Sequence, residues 1–150
     1  QVRAELLAVL APAAVPATRK IYAARAAGGV RSLVNESEVE ALLLEIDFEK
    51  VYFEKLTFLE QIALMRETAV FLGVHGAGMT NMLFLPETAQ VAELLNADYG
   101  DPCYALLASG LGLDYFCILA AGYQPALQNQ SNLVVDIALL KQALMLILKK

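Results

Sequence analysis

Three short segments carry residues whose chemistry goes beyond packing: Arg25, the run Gly73-Val74-His75-Gly76-Ala77-Gly78-Met79-Thr80-Asn81, and Glu93 within Val91-Ala92-Glu93-Leu94-Leu95. In the second, glycines let a ligand approach the backbone, and where a strand runs into a helix the first helical amides point outward unpaired. Such a loop is an anion site in principle. The competing reading is a tight strand-to-helix turn whose glycines serve packing alone. His75 is the single imidazole; it could donate to a phosphate or sugar hydroxyl or act as a base, or simply be satisfied by backbone carbonyls. Arg25 offers a guanidinium for a two-pronged phosphate contact, or for a surface salt bridge. Glu93 lies in an apolar run, so its carboxylate must be paired, because unpaired burial is costly. A ribose diol or an internal arginine would serve as the partner.

The elements around these residues form a regular alternation. Arg19 to Arg25 reads as a strand and is followed by a loop with Gly28 and Gly29. Asn35 with Glu38 has the spacing of a capping box, and Val39, Leu42, Leu43 and Ile46 repeat with helical period. A second strand is expected over Glu49 to Glu54, then a helix capped by Thr57 and Glu60 with Phe58, Ile62 and Met65 inward. Ala69 to Val74 is a continuous apolar run, as in a central parallel strand covered on both faces. A short helix from Met79 to Phe84, a strand from Gln90 to Leu95, a helix from Cys103 to Leu111, a strand from Tyr115 to Leu119 and an apolar tail helix within Leu133 to Leu148 complete the order. Five strands alternating with helices argue for an α/β fold, a doubly wound parallel sheet. In such sheets ligands bind beyond the carboxyl ends of the strands, where Arg25 and the His75 loop fall.

Composition narrows the functions. The chain has 150 residues, 58% hydrophobic and 18% charged, with a formal charge of −5; the apolar excess excludes disorder and implies surface covered by another domain or a second copy. There is no basic stripe for a nucleic-acid backbone. Cys103 and Cys117 have no metal or redox spacing, and one histidine rules out a multi-His zinc site. Asp136, Lys141 and Gln142 interrupt the tail below the roughly 20 apolar residues needed to span a bilayer. Asn35 and Asn129 each begin a glycosylation triplet. The glycine loop is not a dinucleotide fingerprint, since Asn81 stands where the last glycine would be and the loop follows the third strand.

The ordered series Arg19-Lys20-Ile21-Tyr22, Arg25, Leu33-Val34-Asn35-Glu36-Ser37-Glu38, Leu56-Thr57-Phe58-Leu59-Glu60-Gln61, Gly73 to Phe84 with Pro86, and Val91-Ala92-Glu93-Leu94 resembles the C-terminal half of glycosyltransferase family 61. The resemblance covers about Arg19 to Leu119. The family includes O-linked N-acetylglucosaminyltransferases, plant xylan xylosyl- and arabinosyltransferases, and bacterial proteins of capsular polysaccharide biosynthesis. Departures are Ala24 for a usual serine, Gly28 and Gly29 for a more polar and basic stretch, and Glu87 for a proline or glycine. The resemblance implies a GT-B architecture of two Rossmann-like domains facing a cleft, of which residues 19–150 would be the nucleotide-sugar-binding one and residues 1–18 a helix and linker from the preceding domain. It implies that Arg25 and the loop His75, Gly76, Ala77, Gly78, Met79, Thr80 and Asn81 face the diphosphate and sugar of a UDP-linked donor, with Glu93 at the ribose and His75 as the catalytic candidate. No cofactor or metal is expected beyond the donor, and transfer by the chain alone is not expected. The compartment would be cytoplasmic in a bacterium and the ER or Golgi lumen in a eukaryote. The alternative is a non-catalytic Rossmann-like binding or dimerisation module.

Overall fold

The computed structural model describes residues 5, 8, 15–25 and 29–149. Of the helix expected over residues 1–10 only Glu5 and Ala8 are described, both helical, and Gly28 lies outside the described residues. The element order is β1 (Arg19–Ala23), α1 (Glu36–Glu45), β2 (Phe48–Val51), α2 (Phe58–Arg66), β3 (Thr68–Val74), a 3-10 segment (Ala77–Phe84), β4 (Gln90–Asn96), α3 (Cys103–Leu111), β5 (Asp114–Gly122), β6 (Leu133–Val134) and α4 (Ile137–Ile147). Short 3-10 turns also cover Phe53–Lys55 and Pro125–Gln130. The strands form one sheet ordered β2-β1-β3-β4-β5-β6. Strands β1 to β5 run parallel and β6 is antiparallel to β5. This is the Rossmann-like α/β architecture that the βα alternation predicts.

Two-residue periodicity divides the core between the faces of the sheet. Tyr22, Leu72, Ala92 and Leu94 pack with Val39, Leu42 and Leu43 of α1 and Leu140, Leu144 and Ile147 of α4. Ile21, Phe71 and Val91 point the other way, against Ile62 and Met65 of α2, Met82, and Ala108 of α3. The central strands are therefore covered on both sides, which explains why β3 reads as an uninterrupted apolar run.

Several boundaries differ from the sequence reading. Strand β1 ends at Ala23, two residues before Arg25, and β2 ends at Val51 because Phe53 turns inward to meet Phe71 edge to face, 6.0 Å between centroids. The Thr57–Glu60 capping box forms as expected. Asn35 does not cap α1 with its side chain. Its amide instead donates to the Val135 carbonyl at 2.9 Å and accepts from the Val135 amide at 3.0 Å, fastening the start of α1 to the segment before α4. The apolar tail is broken in two: Leu133–Val134 adds a sixth strand to the sheet edge, and Asp136 then caps α4, accepting from the Leu139 amide at 3.0 Å. Two residues of strand are too few to show a period, and the long apolar run hides the break. Among the described residues no helix is long and apolar enough to cross a membrane.

Candidate functional site

The sheet order reverses direction between β1 and β3: β2 lies outward of β1 on one side, β4 and β5 outward of β3 on the other. Connections on the two sides leave in opposite directions, which opens a crevice at the carboxyl ends of β1 and β3. A cavity of about 360 Å³ occupies it, lined in part by Ala24, Arg25, Gly29, Val74, Ala77 and Gly78.

Each glycine of the loop after β3 has a different role. A Cβ on Gly73 would meet the Met79 sulfur at 2.6 Å, so Gly73 exists to let Met79 pack down into the core. Gly76 has φ 156°, a conformation L-residues rarely adopt, and a Cβ there would lie 2.5 Å from Arg25 Nη1. Gly78 has nothing within 4 Å of its Cβ position and faces open space. Packing thus accounts for Gly73, whereas Gly76 makes room for Arg25 and Gly78 leaves its backbone open to the cavity. The loop turns directly into the 3-10 segment, two residues earlier than the expected helix at Met79, and the Met79 amide bonds to the Gly76 carbonyl at 2.9 Å. Thr80 Oγ1 donates to the Ala77 carbonyl at 2.6 Å and Asn81 Nδ2 to the Gly78 carbonyl at 3.2 Å. These two side chains hold the loop's shape and do not reach into the cavity. Ala77 and Gly78 are exposed at its wall.

Arg25 reaches over Gly76, its Nη1 donating to the His75 carbonyl at 3.3 Å. Burial, and then the neighbouring Arg31, hold its pKa below the usual arginine value. Arg31 was not singled out by sequence reasoning. It has φ 61°, its Nε is buried without a hydrogen-bond partner, and its Nη1 lies 3.7 Å from the Gly76 Cβ position. Among the described residues no carboxylate forms an ion pair with either guanidinium. Two guanidiniums thus converge over a glycine turn, with Glu54 on the wall of the same cavity close enough to act on Arg25. Among the described residues Arg25 has no salt bridge. The only sequence signal for Arg31 was its position six residues after Arg25, across a glycine-containing loop.

Glu93 is fully buried, and its partners among the described residues are His75 and Tyr115, not an arginine. One oxygen lies 2.6 Å from His75 Nδ1 and the other accepts from the Tyr115 hydroxyl. The Tyr115 phenol is pushed well above its usual pKa by burial and then by Glu93. Both carboxylate oxygens are therefore engaged within the protein, where the resemblance implies a ribose contact. His75 is held further by Tyr104, edge to face with centroids 5.1 Å apart. With Nδ1 on Glu93, its free lone pair is on Nε2. The ring lies on the β4 and α3 side of the loop, and only the carbonyl of His75 approaches Arg25.

The family model for glycosyltransferase 61 matches residues 1–92, which include Arg25, Arg31 and the whole glycine loop. The chain belongs to glycosyltransferase family 61. The match begins at residue 1, upstream of the resemblance from Arg19, and it stops just before Glu93. EGF domain-specific O-linked N-acetylglucosamine transferase of Drosophila melanogaster is 42% identical over 89 residues, 57% of this chain and 17% of that protein. The proteins of the same name from Canis lupus familiaris and Mus musculus are 37% and 39% identical over 90 residues, with the same coverage. The family 61 match accordingly covers β1, β2, β3 and the first three residues of β4, and the chain spans about 17% of the length of these relatives.

Proposed function

We propose that this chain is the donor-binding domain of a glycosyltransferase that moves a sugar from a UDP-linked donor to a hydroxyl acceptor. The observation that carries this reading is the pair of guanidiniums, Arg25 and Arg31, meeting over Gly76 with no ion pair to either among the described residues, although Glu54 lines the same cavity and attracts Arg25. A diphosphate seated there would take charge-assisted bonds from both and lie beside the exposed backbone of Ala77 and Gly78. When the bond between sugar and diphosphate breaks, negative charge grows on the leaving phosphate oxygen, and fixed cations at that place stabilise it more in the transition state than before. His75, oriented by Glu93, supplies a hydrogen-bonding or proton-accepting Nε2 beside the loop, and Glu93 and Tyr115 act as positioning residues.

The rest of the reading rests on the resemblance. A second Rossmann-like domain, facing this one in a GT-B arrangement, would carry the acceptor side, and the isolated chain would not transfer sugar. The relatives' name makes a UDP-linked N-acetylglucosamine the first donor to test, ahead of other hexosyl and pentosyl donors, and EGF domains the first acceptors. Their animal origin favours the secretory lumen over a bacterial polysaccharide pathway in the cytoplasm. No metal is assigned to the diphosphate site.

Calorimetric titration of UDP and of uridine into the chain tests the proposal. A diphosphate-centred site binds UDP at least about tenfold more tightly than uridine, a difference of about 1.4 kcal/mol, with or without a chelator. Equal affinities, or no UDP binding at millimolar concentration, would count against it.

A further inference from the structure

Three side chains on the far side of the glycine loop stand apart from Arg25 and Arg31: His75, Asp101 and Cys103. One ligand atom from each lies within 4.8 Å of the other two. The cluster joins two loops. His75 directly follows β3, Asp101 lies two residues before α3 and Cys103 begins that helix; the Asp101 carboxylate accepts from the Cys103 amide at 2.9 Å. We infer that these three residues form a binding site for a divalent cation of borderline softness, Zn²⁺, with the fourth coordination position open.

A second observation, independent of the clustering, points the same way. The His75 side chain is nine-tenths buried, its Nδ1 is held by the buried Glu93, and Nε2 has no partner among the described residues. A carboxylate on the distal nitrogen fixes the tautomer so that Nε2 carries the lone pair. This carboxylate–imidazole pairing is the usual outer shell of a histidine-ligated metal. The Tyr115 hydroxyl and the Tyr104 ring hold the pair in place. One nitrogen, one carboxylate oxygen and one sulfur suit Zn²⁺, whereas Mg²⁺ and Ca²⁺ prefer all-oxygen sets. Tetrahedral bonds of about 2.0–2.3 Å place ligand atoms about 3.4–3.6 Å apart. The cluster must therefore tighten by about 1 Å, which turns of the exposed Cys103 and half-buried Asp101 side chains supply. On binding, the Cys103 thiol gives its proton to water and the thiolate bonds the ion.

Sequence spacing hides this site because its ligands are far apart in the chain, and Asp101 and Cys103 alone match no metal pattern. The consequence is that an occupied site withdraws the Nε2 of His75 from any proton transfer, while leaving Arg25 and Arg31 untouched.

Co²⁺, a spectroscopic stand-in for Zn²⁺, tests the inference on the untagged chain, followed by competition with Zn²⁺. The expected result is one ion per chain, a tetrahedral visible spectrum and a thiolate-to-cobalt charge-transfer band. That band should vanish in Cys103→Ser and persist in Cys117→Ser, which changes the other cysteine. Asp101→Asn should weaken Zn²⁺ binding at least about tenfold, by comparison with the roughly 10- to 100-fold cost of losing an outer-shell partner. Cys103 and Asp101 are surface positions, so circular dichroism should show both variants folded like the parent. Binding without a charge-transfer band, an unchanged affinity in Cys103→Ser, or no binding at submillimolar ion would each overturn the proposal.

Discussion

Replacing Arg25 by methionine should weaken nucleotide binding without weakening the fold. The Nη1 atoms of Arg25 and Arg31 lie 2.5 and 3.7 Å from one common point, the Cβ position of Gly76, and so are no more than ~6 Å apart. Two like charges at that distance repel by about 3 kcal/mol at an effective dielectric of 20 and by about 0.7 in water. Arg25 is only half-buried, so screening brings the repulsion toward the lower figure, about 1 kcal/mol. Methionine keeps much of the apolar stem and removes the charge; what is lost is the long 3.3 Å bond to the His75 carbonyl, worth less than about 1 kcal/mol. The ligand-free variant should therefore be as stable as the parent or up to about 1 kcal/mol more stable, a rise of about 2–4 °C in Tm for a chain of this length. UDP affinity should fall roughly 10- to 150-fold, the equivalent of a charge-assisted contact of about 1.5–3 kcal/mol. Thermal unfolding without ligand and calorimetry with UDP measure the two arms. A variant that loses stability but keeps its UDP affinity would refute the claim that Arg25 is held there for a ligand.

Gly76→Ala forces a Cβ into a φ of 156° and against Arg25, so it should cost about 1–3 kcal/mol of stability by denaturant titration and reduce UDP affinity at least as much as Arg25→Met. Asn35→Ala should destabilise the chain by about 1–3 kcal/mol, because two hydrogen bonds to Val135 are lost; a loss of only a few tenths would show that the fastening of α1 to the α4 segment is not significant. The Arg19 hydrogen bond holds the Glu49 carboxyl below its usual 4.5 despite partial burial. The unfolded state therefore binds more protons in that range, and the stabilisation is present above about pH 4.5 and lost as pH falls through the lower folded value. Glu49→Gln should flatten that part of the acid-unfolding curve. Leu139, Met145 and Leu146 are exposed on α4, and self-association at tens of micromolar in sedimentation is expected; a strictly monomeric profile would contradict it.

The parallel sheet was legible because its signals are local and redundant: the apolar run of β3, the Thr57–Glu60 box and the helical repeat of Val39, Leu42 and Leu43 each report on a few neighbouring residues. The place of the glycine-rich loop at the crevice was legible for the same reason, since a loop after a buried strand places itself once the alternation is known. What escaped depended on contacts across long stretches of chain. Asn35 has the spacing of a cap, but its partner is a backbone segment 100 residues away. Glu93 signals only that it needs a partner, and which residue meets it depends on the pairing of β4 with β5 and on the turn at His75. Arg31 drew no notice because nothing nearby in the sequence shows that its Nε is enclosed without a hydrogen-bond partner.

The central claim is that the crevice between β1 and β3 is where this chain holds a nucleotide diphosphate. NMR observation of the backbone amides together with the arginine side-chain Nε–H groups, during titration with UDP, tests it most directly. The account predicts saturable shifts at Gly76, Ala77 and Gly78 and at the Nε–H of Arg25 and Arg31, with the amides of β2 and α4 unmoved. Saturable shifts confined to other elements, with those two arginines and the Gly76 loop unaffected, would contradict it.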